Sequence, residues 1–130
     1  MAKRDAVFPA GRQALYEINR YSAAIRSGDL LFVSGQVGSR EDESPEPVFE
    51  QQVRLAFDNL AAVLWRRPAA RPTTSWTYPP STPTRPRSSR RSTPFGWRRS
   101  AARPNPNWTA VGVNWLAGFD FEIKVIARLP

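Results

Sequence analysis

The run RRPAARPTTSWTYPPSTPTRPRSSRRSTPFGW, from Arg66 to Trp97, contains no Leu, Ile, Val or Met. A chain of 130 residues is one domain's worth and needs most of its length to build a modest core. Residues 66–106 hold ten of the nineteen basic residues, all Arg, and none of the eleven acids. The remaining nine bases against eleven acids leave a net −2, so the overall charge of +8 belongs to this one segment. It also holds nine of the thirteen prolines and twelve Ser or Thr. Such a composition buries too little apolar surface to offset the entropy of ordering. The core must therefore come from the two flanks of a single domain, residues 1–130.

The chain has no Cys and no His. Disulfides, thiolate or imidazole metal sites, and Ser-His or Cys-His nucleophile pairs are excluded, which leaves proton transfer to Asp, Glu, Tyr or water. The opening MAKRDAVFPAGRQ lacks the apolar run of a secretory signal, and no stretch is long and apolar enough for a membrane span. A cytoplasmic protein with no membrane partner is the expectation.

In the first flank, Tyr21–Ser27 and Leu30–Val37 read as strands of a hairpin about Gly28-Asp29. The second strand is almost wholly apolar, which predicts burial on both faces. Val48–Leu64 places Phe49, Val53, Ala56, Phe57, Leu60, Val63 and Leu64 on one helical stripe, with Glu46 and Glu50 at the positive end of its dipole. In the second flank, Trp108–Leu116 and Phe119–Leu129 read as a further hairpin about Ala117-Gly118. Phe119, Phe121, Ile123, Val125, Ala127 and Leu129 alternate with mostly charged residues, so one face of that last strand should be buried and the other wet. Four strands and one helix leave more sheet than the helix can cover.

YSAAIRSGDLLFVSGQVG, VRLAFDNLAAVL and PNWTAVGVNWLAGFDFEIKVIARLP together resemble the RidA (YjgF-like, reactive intermediate deaminase) family, most closely its YjgH-like members. The resemblance covers Phe8 to Leu64 and Asn105 to Pro130, about two thirds of the chain. It implies an α+β, chorismate-mutase-like fold: a mixed sheet with helices on one face, assembled as a homotrimer with small-molecule clefts between subunits. A middle strand and a second helix should stand where the Arg/Pro segment lies, so both are expected to be missing or disordered in this chain.

Another reading frame permits the missing pieces. Trp65 is encoded only by TGG, and with CGN, the simplest codon choice, for Arg66 and Arg67, reading from its third base gives Ala followed by codons for small residues. The same offset permits the family's helix end, Ala-Ala-Ala-Gly-Cys followed by Asp-Asp. Across Tyr78–Thr84 it permits Thr-Phe-His-Thr-Asp-Pro, which the family carries after its middle strand. Residues 65–104 therefore read as an off-frame translation between two compensating frame errors; the rival is a genuine Arg/Pro/Ser-rich insertion. Without a strand and a helix, the literal chain should be marginal or aggregating.

Family members with deaminase activity hydrolyse enamines and imines of the 2-aminoacrylate type to a 2-keto acid and ammonia. An Arg in a Pro-x-Arg-Ser/Thr motif grips the substrate carboxylate, a task suited to its planar, permanently charged fork. The matching motif here is Pro106-Asn107-Trp108-Thr109, so the Arg position is Trp108. Trp108 cannot form an ion pair, and the chain is either an altered deaminase or a metabolite-binding relative in which Trp108 stacks on a planar ligand. Glu122 matches the family's water-positioning or proton-handling carboxylate. Tyr21 matches the ring lining the cleft, and Ser34 and Gly35 the strand end whose backbone bonds the ligand. Arg12 is a candidate replacement cation. The plain alternatives are a solvated strand acid for Glu122, a half-buried strand aromatic for Tyr21, backbone packing for Gly35, a boundary contact for Trp108 and a solvent-facing loop residue for Arg12. No metal or organic cofactor is implied. A rival of another class is a nucleic-acid-binding module, with ten Arg interleaved with Trp76, Tyr78, Phe95 and Trp97.

Overall fold

The computed structural model describes residues 4–64, 71–78 and 108–129. Along the chain these form β1 (Arg4–Val7), α1 (Gln13–Ile18), β2 (Ala24–Ser27), β3 (Leu30–Val33), β4 (Gln36–Val37), α2 (Phe49–Leu64), β5 (Arg71–Tyr78), β6 (Trp108–Gly112) and β7 (Glu122–Arg128). Among the described residues the strands make one sheet in the order β1-β2-β3-β7-β5-β6, with β4 continuing beside β7. The β5–β6 pair is parallel and the others are antiparallel, which makes the sheet mixed.

The first hairpin turns where expected, with a first strand of Ala24–Ser27 where Tyr21–Ser27 was read. Ser27 faces Leu30 across Gly28-Asp29, and Gly28 takes the positive φ of 62° that a two-residue turn of this hand requires at its first position. Helix α2 starts one residue later than the reading and keeps the whole predicted stripe. Val53, Ala56, Leu60 and Val63 are buried, with Phe49, Phe57 and Leu64 packed beside them. From the sheet, Leu31, Val33, Phe121, Ile123, Val125 and Ala127 meet that stripe in one core. The rings of Phe57 and Phe121 lie 6.1 Å apart.

Four expectations are corrected. The centre of the sheet is not vacant: β5, inside the Arg/Pro segment, pairs along β7 from Arg71 to Thr77 and along β6 from Thr74 to Tyr78. Strand pairing uses backbone groups, and Thr73, Thr74, Trp76, Thr77 and Tyr78 are strand formers. Pro72, which lacks an N–H, falls outside the stretch paired on both sides. The expected second helix lies outside the described residues.

The second hairpin is not one. Ala117 and Gly118 do make a tight turn, with φ of 51° and 87° and Phe119 N–H donating to Leu116 O at 2.9 Å. The strands on either side of it are separated by β5, because β6 runs parallel to β5 instead of returning along β7. The expected single strand Leu30–Val37 is two strands, β3 and β4, and it is not buried on both faces: Phe32 is 42% exposed. Finally, β1 and α1 went unread, since four and six residues are too few to show a period.

Candidate active site

The break between β3 and β4 builds the site. Phe32 pairs with Ile126 and Gln36 with Ile123, so three residues, Val33, Ser34 and Gly35, oppose two, Lys124 and Val125. One extra residue on one strand is a β-bulge, which bends the strand and re-aims what it carries. Two hydrogen bonds pin it to the end of the neighbouring segment: Ser34 N–H donates to Ala23 O at 2.9 Å and Ser34 Oγ donates to Ser22 O at 2.7 Å. Gln36, buried, donates from Nε2 to Ser34 O at 3.0 Å.

Glu122 opens β7 directly beside this bulge, on the side of the sheet away from α2. Its carboxyl fills the space over Gly35: a Cβ built on Gly35 would collide with Cδ and both carboxylate oxygens of Glu122. Burial pushes the Glu122 carboxyl above its ordinary value of 4.5, and Lys124, two residues on and on the same side, pulls it partly back. Such a group retains its proton to higher pH than a surface glutamate and suits both accepting and returning a proton.

Tyr21 stands near this corner through the end of α1. Arg20 N–H donates to Glu17 O and Tyr21 N–H to Tyr16 O, each at 3.1 Å, with Arg20 at φ 57°. This paired closure of a helix end brings the residue after the left-handed one against the helix's last turn. Here it sets the rings of Tyr21 and Tyr16 edge-on, 5.0 Å apart at 74°. Tyr16 is buried and donates from its hydroxyl to Gln36 Oε1 at 3.4 Å, so α1 and the bulge are tied together beneath Tyr21. The Tyr21 hydroxyl is pushed up first by burial, then by the neighbouring Tyr16 and the Glu43 carboxylate, is drawn down by Arg12, and feels Glu122 as well. Tyr21 stays 47% exposed, a ring on the rim.

The fold thus brings Tyr21, Ser34, Gly35 and Glu122 to one corner. It does not bring Trp108 there within one copy. Trp108 pairs with Thr74 on β5, while Glu122 pairs with Thr77. The two backbones are therefore about 10 Å apart along the strands and about 10 Å across them. Arg12 holds the scaffold together. It donates from Nη1 to Asn59 Oδ1 at 2.9 Å and from Nη2 to Arg40 O at 3.0 Å, and Asn59 in turn donates to Val37 O and Ser39 O. Tyr16, Gln36 and Asn59 were not legible as site supports, because each bonds across an element boundary that the sequence pattern does not show. Among the described residues no three of Asp or Glu gather as a metal-binding group.

The chain is 60% identical over 137 residues to the RutC family protein YjgH of Escherichia coli strain K12, with all of this chain and 98% of that protein covered. The chain belongs to the RidA/YjgF (RutC) family. A family model described as endoribonuclease L-PSP matches residues 11–70 and ends just inside the Arg/Pro segment. A solved structure of protein YjgH superposes with a TM-score of 0.80 at 57% identity, covering 98% of this chain and 97% of that one. YyfA of the Rid protein family from Yersinia pestis superposes at 0.75 with 23% identity, covering 98% and 100%, a likeness of fold alone. The α+β, chorismate-mutase-like fold of RidA proteins is therefore the fold of this chain. Among the described residues no helix is long and apolar enough to cross a membrane.

Proposed function

We propose that this RidA-family protein binds a small imine or enamine at the Tyr21–Gly35–Glu122 corner and hydrolyses it, with Glu122 as the proton-handling residue. The observation that carries this reading is the Glu122 carboxyl lodged over Gly35 at the bulge, half-buried and held toward its protonated form. In the reaction, a water oxygen bonds to the imine carbon while the Glu122 carboxylate accepts one water proton and passes it to the imine nitrogen, giving a carbinolamine. Glu122 then accepts the carbinolamine hydroxyl proton and delivers it to nitrogen as the carbon–nitrogen bond breaks, leaving a carbonyl and ammonia. Half-buried backbone at the Ser34-Gly35 bulge holds the ligand, and Tyr21 walls it. Trp108 stands where deaminating relatives have Arg, so a ligand carboxylate is not held at that position. The test is ammonia release from freshly generated 2-imino acids: the chain should release ammonia above the buffer rate, Glu122→Gln should fall to that rate, and an unaffected Glu122→Gln would refute the reading.

Two further parts belong to this reading. Among the described residues no helix lies over the face bearing Glu122, and Ile25, Phe32 and Ile126 lie in one row across β2, β3 and β7. We assign this face to contacts between three copies, whose neighbours complete the cleft with the Trp108 end of β6. Residues 65–104 we assign to an off-frame translation, a reading supported by the composition break and by the family-model match ending at residue 70. That β5 lies in this segment agrees with pairing that does not depend on side chains. The coding DNA should show two compensating frame errors around the segment; an unbroken frame, with peptides from 66–104 recovered from cells, would refute it.

A further inference from the structure

We propose that Gln36 is a positioning residue for the reaction: it turns the Ser34–Gly35 peptide so that the Gly35 N–H faces the ligand beside Glu122, an inference that rests on the function proposed above. Among the described residues Gln36 and Gln52 are the only polar side chains closed off from water. Gln36 pairs with Ile123 and so lies on the α2 side of the sheet, where Ile123 and Val33 are apolar and buried. An amide buried on such a face costs stability unless both its ends are bonded. Here they are: Nε2 donates to Ser34 O at 3.0 Å, and Oε1 accepts from the Tyr16 hydroxyl at 3.4 Å. The amide cannot turn over, because Ser34 O only accepts and must meet the NH2 group.

The Ser34 carbonyl is thereby held toward the α2 side. In a planar trans peptide the N–H points the other way from the C=O, so the Gly35 N–H is turned to the open side, where the Glu122 carboxyl lies over Gly35. Gly35 falls between β3 and β4, outside the strand ladder. Among the described residues its N–H has no backbone partner, and the Glu122 carboxyl, which feels burial and Lys124, takes no hydrogen bond from it. The donor is therefore free for the ligand, at the place where the carbinolamine oxygen becomes a carbonyl. A backbone N–H fixed there in advance stabilises charge developing on that oxygen more than it stabilises the bound ligand. The contribution of Gln36 should fall on kcat, with little on KM.

The test compares wild type with Gln36→Met, which keeps the reach of the side chain and removes its amide, on the 130-residue chain and in parallel on its frame-restored counterpart. The N–H residual dipolar coupling of Gly35 in an aligned sample reports the direction of that bond without any ligand. The second readout is the kcat and KM of ammonia release from a freshly generated 2-imino acid. Gln36→Met should change the Gly35 coupling while those of Val33 and Ile123 stay, and should lower kcat by about tenfold or more with KM within about twofold of wild type. A merely structural Gln36 would lower the melting temperature and leave both the Gly35 coupling and the kcat of the folded protein in place. Tyr16→Phe, which leaves Oε1 without its donor, should move both readouts the same way by less, and it carries the test where Gln36→Met does not fold. An unchanged Gly35 coupling in a folded variant, or a changed coupling with kcat intact, overturns the assignment and leaves the Glu122 reaction standing. A wild type that releases ammonia only at the buffer rate removes the reaction, and the assignment falls with it.

Discussion

Beneath α2, alternate residues of β7 (Ile123, Val125 and Ala127) are closed off from water, while on the other side of the same sheet Phe32 and Ile126 remain 42% and 41% exposed beside Glu122. Both sides are built by one alternating pattern, so the difference comes from what covers them. The covered side has a helix whose stripe matches it; among the described residues of one copy, no helix covers the open side. Stability should therefore be concentrated on one side and chemistry on the other.

The largest expected effect lies under the helix. Phe121→Ala removes a fully buried ring that packs on Phe57 and should cost about 3–5 kcal/mol in denaturant unfolding, whereas Phe32→Ala, at concentrations where copies are apart, should cost under about 1 kcal/mol. Equal losses would erase the contrast between the two sides.

A sharper version compares two glycines on either side of β4. A Cβ on Gly38 would strike the Gln52 backbone in α2, which cannot yield without moving the helix, so Gly38→Ala should cost about 1–3 kcal/mol. A Cβ on Gly35 would strike only the end of the Glu122 side chain, which can swing away. Gly35→Ala should leave the melt within about 1 kcal/mol of wild type yet remove most ammonia release, by displacing the carboxyl. Loss of stability and activity in step would break that distinction.

Between these lies Gln52, buried in α2. It accepts from Asp120 N–H at 2.8 Å and Phe121 N–H at 3.2 Å and donates to Glu46 O at 2.9 Å. Gln52→Ala should cost about 1–3 kcal/mol, because two N–H groups and a carbonyl lose their partner. On the open side, the proposed contact between three copies predicts that Ile126→Glu lowers the mass measured by light scattering to that of one copy. An unchanged mass would remove that side from the assembly.

The smallest effect is a pH dependence. Because the folded-state pKa of Glu122 is raised, its contribution is fully present below 4.5, the ordinary value, and is lost as pH rises through the folded value. Glu122→Gln should therefore flatten the fall in stability over that window. A steeper fall in the variant would contradict the burial of the carboxyl.

How much of this was written in the sequence varies with length and locality. The α2 stripe and the alternation of β7 were legible because each runs long enough to show its period. The Gly28 turn was legible because its chemistry is local. The place of β6 beside β5 was not, since Ala117-Gly118 makes a real turn without pairing its flanks, and only the topology reveals that. Glu122, Tyr21, Ser34 and Gly35 were found through family resemblance, and the bulge that gathers them rests on a one-residue mismatch between two pairings.

The most direct test is the rate of ammonia release by Glu122→Gln from a freshly generated 2-imino acid, measured beside its thermal melt. The expected result is a rate at the buffer level with a melting temperature no lower than wild type. A variant that keeps its rate, with its fold intact, would show that the open side of the sheet does not carry the chemistry assigned to it.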